Sequence, residues 1–374
     1  MNLTNEILSS IESRANEALA LLTELAQIPA PSNHEERRAE FCLNWLRSKG
    51  ALSAYIDEAL NVVYPIGDTG ENDLMVFMAH SDVVFPDLEP LPLRVEDGKI
   101  YCPGVGDDTA NAVALLTAAG YIAREKLVPK DCGVLLVINS GEEGLGNLKG
   151  SRKIMEDFGH RVKEFITFDG NANAVVTKAV GSRRYRVTVT TEGGHSYGKF
   201  GAPNAIAQLA QLIARLYEVR VPAIGKTTYN VGTVSGGTSV NTIAQSAEML
   251  YEFRSDEREG LAFMQAQFEA IVEDFRASGV QIEVEVVGDR PCGLDVDNSA
   301  LARRAALAVE THYGLSPAFT SGSTDCNVPL SMGITAICPG CVMGAGAHTR
   351  EEYVQIDSLL PGLKVAFELI LHHF

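Results

Sequence analysis

Leu74-Met75-Val76-Phe77-Met78-Ala79-His80-Ser81-Asp82 is the stretch that decides the fold class. A short, wholly apolar run reads as a strand buried on both faces, and such strands belong to mostly parallel sheets covered by helices. A histidine and an aspartate stand at its carboxyl end, where open α/β sheets collect their ligands. Working outward, strand and helix patterns alternate. Upstream, Ile7, Ile11, Leu19, Leu22 and Leu25 recur at helical spacing until Pro29-Ala30-Pro31. Ser32 and Glu35 suggest a capping box for a second helix running to Gly50, followed by strand-like residues 53–57 and 62–66. Downstream, the pattern predicts a helix over 109–125, a buried strand over 133–139, a helix over 148–158 and a strand over 164–168.

After Gly181 the character changes. Residues 184–191 alternate like a half-exposed strand, and a helix over 204–219, strands over 227–234 and 245–254, a helix over 257–278 and a strand over 281–287 follow. The order β-α-β-β-α-β is that of a ferredoxin-like unit. Beyond Pro291 the first pattern resumes, with helices over 299–313 and 356–372. The expected organisation is a discontinuous α/β domain, residues 1–181 and 290–374, with a mixed, mostly parallel sheet flanked by helices. A ferredoxin-like α+β domain, residues 182–289, is inserted into it.

The 374 residues suit two domains, and 46% apolar content supplies a large core. Lys plus Arg is 31 and Asp plus Glu 48, a net charge of −17, which disfavours nucleic acid and anionic membrane surfaces as partners. No apolar run reaches membrane-spanning length, and Glu6, Glu12, Arg14 and Glu17 make the N-terminal segment an amphipathic helix, not a signal peptide. Seven scattered cysteines point to a reducing cytoplasm instead of a disulfide framework.

The chemistry-bearing residues fall at strand ends or in adjoining loops. Asp82, two residues from His80 in extended chain, can approach its ring and fix the tautomer of a metal-binding imidazole. Gly104-Val105-Gly106-Asp107-Asp108 opens the helix at Thr109; one acid has a capping alternative, two invite another reason. Glu142 and Glu143 lie between glycines after a buried strand, where paired carboxylates are costly unless they meet cations. Asp169 follows another strand, and His348 sits in a loop of small residues near the C-terminus. Two histidines with several carboxylates suit zinc, with manganese or cobalt as alternatives. Lys149-Gly150-Ser151 has the wrong order for a P-loop, and Cys338-Pro339-Gly340-Cys341 runs into Gly344 and Gly346, not into the helix a thioredoxin-like site needs.

In order and spacing, His80-x-Asp82, Gly104-x-Gly-Asp107-Asp108, Glu142-Glu143, Asp169 and His348-Thr349 resemble the zinc exopeptidases: tripeptidase, glutamate carboxypeptidase, aminoacylase, acetylornithine deacetylase and succinyl-diaminopimelate desuccinylase. The resemblance covers nearly the whole chain. It implies two zinc ions, one held by His80 and Asp169, the other by Glu143 and His348, with Asp107 bridging, Asp82 orienting His80 and Glu142 as general base. It also implies a cis peptide at Asp107-Asp108 and a homodimer formed through the inserted lid, whose His195 reaches a neighbouring active site. Asn241, Arg254 and the loop at Gly322 resemble substrate-contacting positions, Arg254 gripping a carboxylate. Small peptides or N-acyl amino acids are the implied substrates. Asp at position 169, in place of Glu, leans towards aminopeptidases and tripeptidases, with deacetylase, desuccinylase or carboxypeptidase action as the alternative. One departure is Thr109-Ala110-Asn111, where the family often has Lys and Gly soon after the bridging acid.

Overall fold

The computed structural model describes residues 3–374 and divides into two compact units: the chain up to Ala179 together with Leu294–Phe374, and Val180–Gly293. The first is built on an eight-stranded sheet in the order Tyr55–Ile56, Val62–Ile66, Gly133–Asn139, Leu74–His80, Val162–Thr167, Thr335–Pro339, Ala174–Ala179, Ala318–Gly322. The four strands from Gly133–Asn139 to Thr335–Pro339 run parallel, so their carboxyl ends share one edge.

Alternation explains why the deciding stretch is apolar throughout. Phe77 and Ala79 pack into one core with Leu22 and Leu25 of the helix Asn5–Ala26, Leu116 of Ala110–Glu125 and Phe367 of Leu359–Leu371. Leu74, Val76 and Met78 pack into a second core with Ile154 and Met155 of Lys149–Phe158. Each fully buried side chain of this size contributes about 1.5–3 kcal/mol, and both faces of the strand are dry.

The expected capping box does not form. The helix Glu36–Ser48 has no side-chain cap. Ser32 instead donates to Asp82 Oδ2 (2.6 Å), and the buried Glu35 accepts from Asn33 N (2.9 Å) and pairs with Lys149 (2.8 Å). Both polar groups are drawn away from the helix start by stronger charged partners.

The second unit is a four-stranded antiparallel sheet in the order Thr227–Gly236, Ser246–Ser255, Gly181–Thr190, Gln281–Arg290. Helices Ala205–Leu216 and Arg258–Ala277 cover one face, burying Tyr185, Val187, Met249, Tyr251 and Phe268. Asn204 caps the first helix through Ile206 N and Ala207 N. The unit is a few residues longer than 182–289 because its first strand starts at Gly181 and its last runs on to Arg290, paired with Ser182.

Among the described residues no helix is long and apolar enough to cross a membrane. All seven cysteines are buried and unbridged. Burial raises the thiols of Cys338 and Cys341, which makes them poor nucleophiles. Cys338 Sγ points at Asp169 O (3.6 Å), and Cys341 N donates to Asn111 Oδ1 (2.7 Å).

Candidate metal centre

The shared carboxyl edge of the parallel strands builds the site. His80 closes its strand opposite Asn139, the last residue of the neighbouring strand, and Val162–Thr167 delivers Asp169 two residues beyond its end. A separate small sheet pairs Lys99–Tyr101 with Tyr353–Gln355, bringing the Gly104–Asp108 segment up to the loop that carries His348.

His80 is fully buried. Its Nε2 lies 3.1 Å from Asp107 Oδ1, and Nδ1 lies 3.0 Å from the Asp82 carbonyl oxygen and 3.5 Å from its carboxylate. Asp82 therefore orients the ring chiefly through its main chain. Its carboxylate holds the acidic turn: Oδ1 accepts from Glu142 N (2.9 Å), and Oδ2 from Glu143 N (2.9 Å) and Ser32 Oγ (2.6 Å). That turn also needs Gly141, which adopts φ +64° and whose added Cβ would lie 2.5 Å from Lys149 Cγ.

The two acids at Asp107-Asp108 do not cap the following helix. The peptide bond between them is cis. Asp107 turns one oxygen to His80 and the other to His348 Nε2 (3.1 Å), which also lies 3.0 Å from Glu143 Oε1. Asp108 accepts from His80 N (3.0 Å) and Asn111 Nδ2 (2.6 Å). Asn111 Nδ2 also donates to Gly170 O (3.1 Å), tying Asp108 to the Asp169 turn.

Electrostatics describe a site short of positive charge. Burial pulls His80 down, but Asp107 and Asp82 outweigh it and hold the imidazole well above its ordinary value. Hydrogen bonds to Asp107 and Glu143 raise His348 to about 10. Burial pushes Asp107 up, yet the two histidines hold it well below the carboxylate range. Asp169, by contrast, is raised to about 7 by burial and by the charge of Asp107. Burial likewise pushes Asp108 well above the carboxylate range, so the acids compete for the two imidazoles and two go unserved.

The donor atoms of His80, Asp107 and Glu143, and those of His80, Asp108 and Asp169, lie within 4.8 Å of one another in each triplet. Oxygen and imidazole donors crowded together with excess negative charge fit divalent ions. Of the expected ligands, the structure brings His80, Asp107, Glu143 and His348 into direct contact and sets Asp169 in the second triplet; Asp108 joins it unexpectedly.

The other expected residues are distributed differently. Gly322 ends the edge strand Ala318–Gly322, where an added Cβ would meet Val176 Cγ2 at 3.0 Å. From the following loop it is Asp325 that reaches the sheet end, accepting from Asn139 Nδ2 (2.6 Å). In the second unit, Gly194–His195 pairs with Thr242–Ile243, and Ser196 N donates to Asn241 O (3.0 Å). His195 is exposed, its Nδ1 accepting from Tyr197 N and Gly198 N at 3.3 Å. The Arg254 fork, expected to grip a carboxylate, is taken by Glu252, with two contacts of 3.1 Å.

Glu352 stands outside every motif of the sequence. This buried carboxylate accepts from Gly104 N (2.7 Å), Gly106 N (2.7 Å) and Asp107 N (2.8 Å), fixing the loop that presents Asp107. Burial raises it to about 7 despite those bonds. The row of glycines before Asp107, whose bare N–H groups need an acceptor, was the available signal.

A family model for peptidase family M20/M25/M40 matches residues 76–372. The chain is 25% identical over 337 residues to acetylornithine deacetylase from Myxococcus xanthus, covering 84% of each protein. Among solved structures, a tripeptidase from Staphylococcus aureus subsp. aureus Mu50 superposes with a TM-score of 0.76 at 24% identity, over 95% of this chain and 97% of that one. The Bacillus subtilis YXEP protein, described as a dinuclear metal binding peptidase from the M20 family, superposes with a TM-score of 0.64 at 14% identity, over 97% and 100%. These two likenesses concern the fold, whereas the family model spans most of the sequence: the chain belongs to peptidase family M20/M25/M40, a family of metal-dependent hydrolases of peptide and amide bonds.

Proposed function

We propose that this chain is a cytoplasmic di-zinc exopeptidase that removes residues from the free amino end of small peptides. His80 and Asp169 would hold one ion and Glu143 and His348 the other, and Asp107, which contacts both histidines, would serve both. When bound, such a pair supplies Lewis acidity for the scissile carbonyl and lowers the pKa of water. Glu142 takes the proton of the attacking water and returns it to the leaving amine nitrogen, while the carbonyl carbon gains the water oxygen and loses that nitrogen. Ser32 and Asp82 hold the turn so that Glu142 and Glu143 keep separate tasks.

The observation that carries the peptidase reading is the acid at position 169. A short carboxylate there, in place of the Glu that the resemblance links to carboxypeptidases and deacylases, supports a substrate with a free amino end. The deacetylase relative favours the second reading, in which an N-acyl amino acid is the substrate. A panel of free and N-acetylated di- and tripeptides on zinc-loaded protein separates the two. Free peptides are expected to be cleaved with kcat/KM about 10- to 100-fold higher, the size of one charge-assisted contact; the reverse preference establishes the deacylase reading instead. Manganese or cobalt in place of zinc would show as higher activity after exchange.

We also infer a homodimer formed through the second unit, with the partner subunit's His195 stabilising the oxyanion. The exposed edge strand Thr227–Gly236, together with Tyr197, Phe200 and Val240 at 90%, 93% and 102% exposure, supports an interface there. Sedimentation velocity at working concentration should give a dimer. A fully active monomer overturns the inference.

A further inference from the structure

We propose that Arg38 is a positioning residue that locks the two ligand-bearing segments of the metal centre to each other. It lies on the helix Glu36–Ser48 and is fully buried. Its Nε donates to Ile28 O (2.7 Å) and Nη2 to Ala26 O (3.4 Å). Nη1 spans the site, donating to Ser81 O (2.9 Å) and Thr109 Oγ1 (3.1 Å). Ser81 separates His80 from Asp82, and its N–H and hydroxyl are both held by Asn139 O at 2.8 Å. Arg38 therefore fixes the one remaining polar group of that peptide. Thr109 follows Asp107-Asp108, and its hydroxyl passes the link on to Gly104 O (2.6 Å), closing the segment that presents Asp107.

None of these four acceptors is a carboxylate. A buried guanidinium that makes only neutral contacts is costly unless the hydrogen bonds are good and acids stand nearby. Here Asp82 and Glu352 are those acids, and burial lowers the group only to about 10, so it stays charged at neutral pH. The planar fork, which Lys lacks, is what reaches three segments at once.

Charge and positioning predict opposite outcomes. A cation beside a dication site weakens metal binding, so removing it for charge reasons tightens binding. Removing a clamp loosens it. The proposal rests on His80 and Asp107 being ligands, and wild-type protein that binds no zinc would refute that reading first. Given two ions in wild type, zinc affinity is measured by competition with a chromophoric chelator, together with the visible spectrum of the Co²⁺ form and the unfolding midpoint of metal-free protein. Arg38→Lys and Arg38→Met are both expected to lose about 10- to 100-fold in affinity, the range for residues that orient ligands, with an altered Co²⁺ spectrum. Wild-type affinity and spectrum in Arg38→Lys, or tighter binding in Arg38→Met, overturn the proposal. So does a fall in metal-free stability with unchanged affinity. Should neither variant fold, Thr109→Val decides: it cuts the link to Gly104 while keeping volume, and unchanged affinity there refutes the clamp. Where Arg38→Lys does fold, its effect and that of Thr109→Val must be non-additive.

Discussion

Glu142→Gln is expected to keep both metal ions and to lower kcat by about 10²- to 10⁴-fold, the usual worth of a positioned proton acceptor. The substitution preserves shape at a residue only 5% exposed, and the main-chain bond from Glu142 N to Asp82 survives it. Glu143 keeps its contact with His348, so the ligand set is untouched. What disappears is the group that accepts a proton from water and passes it to the leaving amine. Metal content by atomic absorption and steady-state kinetics on one preparation make the comparison. A variant that has both ions and cleaves at the wild-type rate removes Glu142 from the mechanism.

Asp107→Asn should fail differently, at the level of the ions themselves. Each Asp107 oxygen faces a different histidine, so the carboxylate serves both halves of the centre. An amide offers one neutral oxygen and turns an NH₂ towards the other half. Structural zinc sites bind with about 10–16 kcal/mol shared among their ligands, so losing one shared ligand should weaken binding by about 10²- to 10³-fold. Stoichiometry is expected to fall below two per chain at micromolar zinc, with activity lost in proportion. Two tightly held ions in Asp107→Asn would show that another group, Asp108 being the nearest candidate, joins the halves.

Much of this site was readable because its parts obey local rules. His80, Asp169 and the Glu142-Glu143 turn follow buried apolar strands, and the edge such strands share is where an open sheet gathers ligands. The inserted unit was readable for a related reason: its strands alternate cleanly, since one face packs on two helices and the other carries Arg184, Arg186, Glu248 and Glu252. What escaped was long-range. Ser32 looked like a helix cap because Glu35 follows at the right spacing, yet its partner is Asp82, fifty residues away. Glu352, Arg38 and Asp325 bind groups that no local pattern places beside them. The Asp82 carboxylate was expected on the His80 ring, and the structure puts it mainly on the Glu142-Glu143 turn, where it accepts from two N–H groups. The short strands at Lys99–Tyr101 and Tyr353–Gln355 are too brief to show a period, although they bring Asp107 and His348 together.

The place of Thr335–Pro339 in the sheet has a consequence for biogenesis. It lies between Val162–Thr167 and Ala174–Ala179, yet the entire insert is made before it. A ribosome delivers four of the five proposed ligands, then Val180–Gly293, and only then the strand that joins the halves of the sheet and the loop bearing His348. Until that moment the two flanking strands present open edges, and the gathered acids lack an imidazole. The five proposed ligands can therefore come together only after the insert has been made.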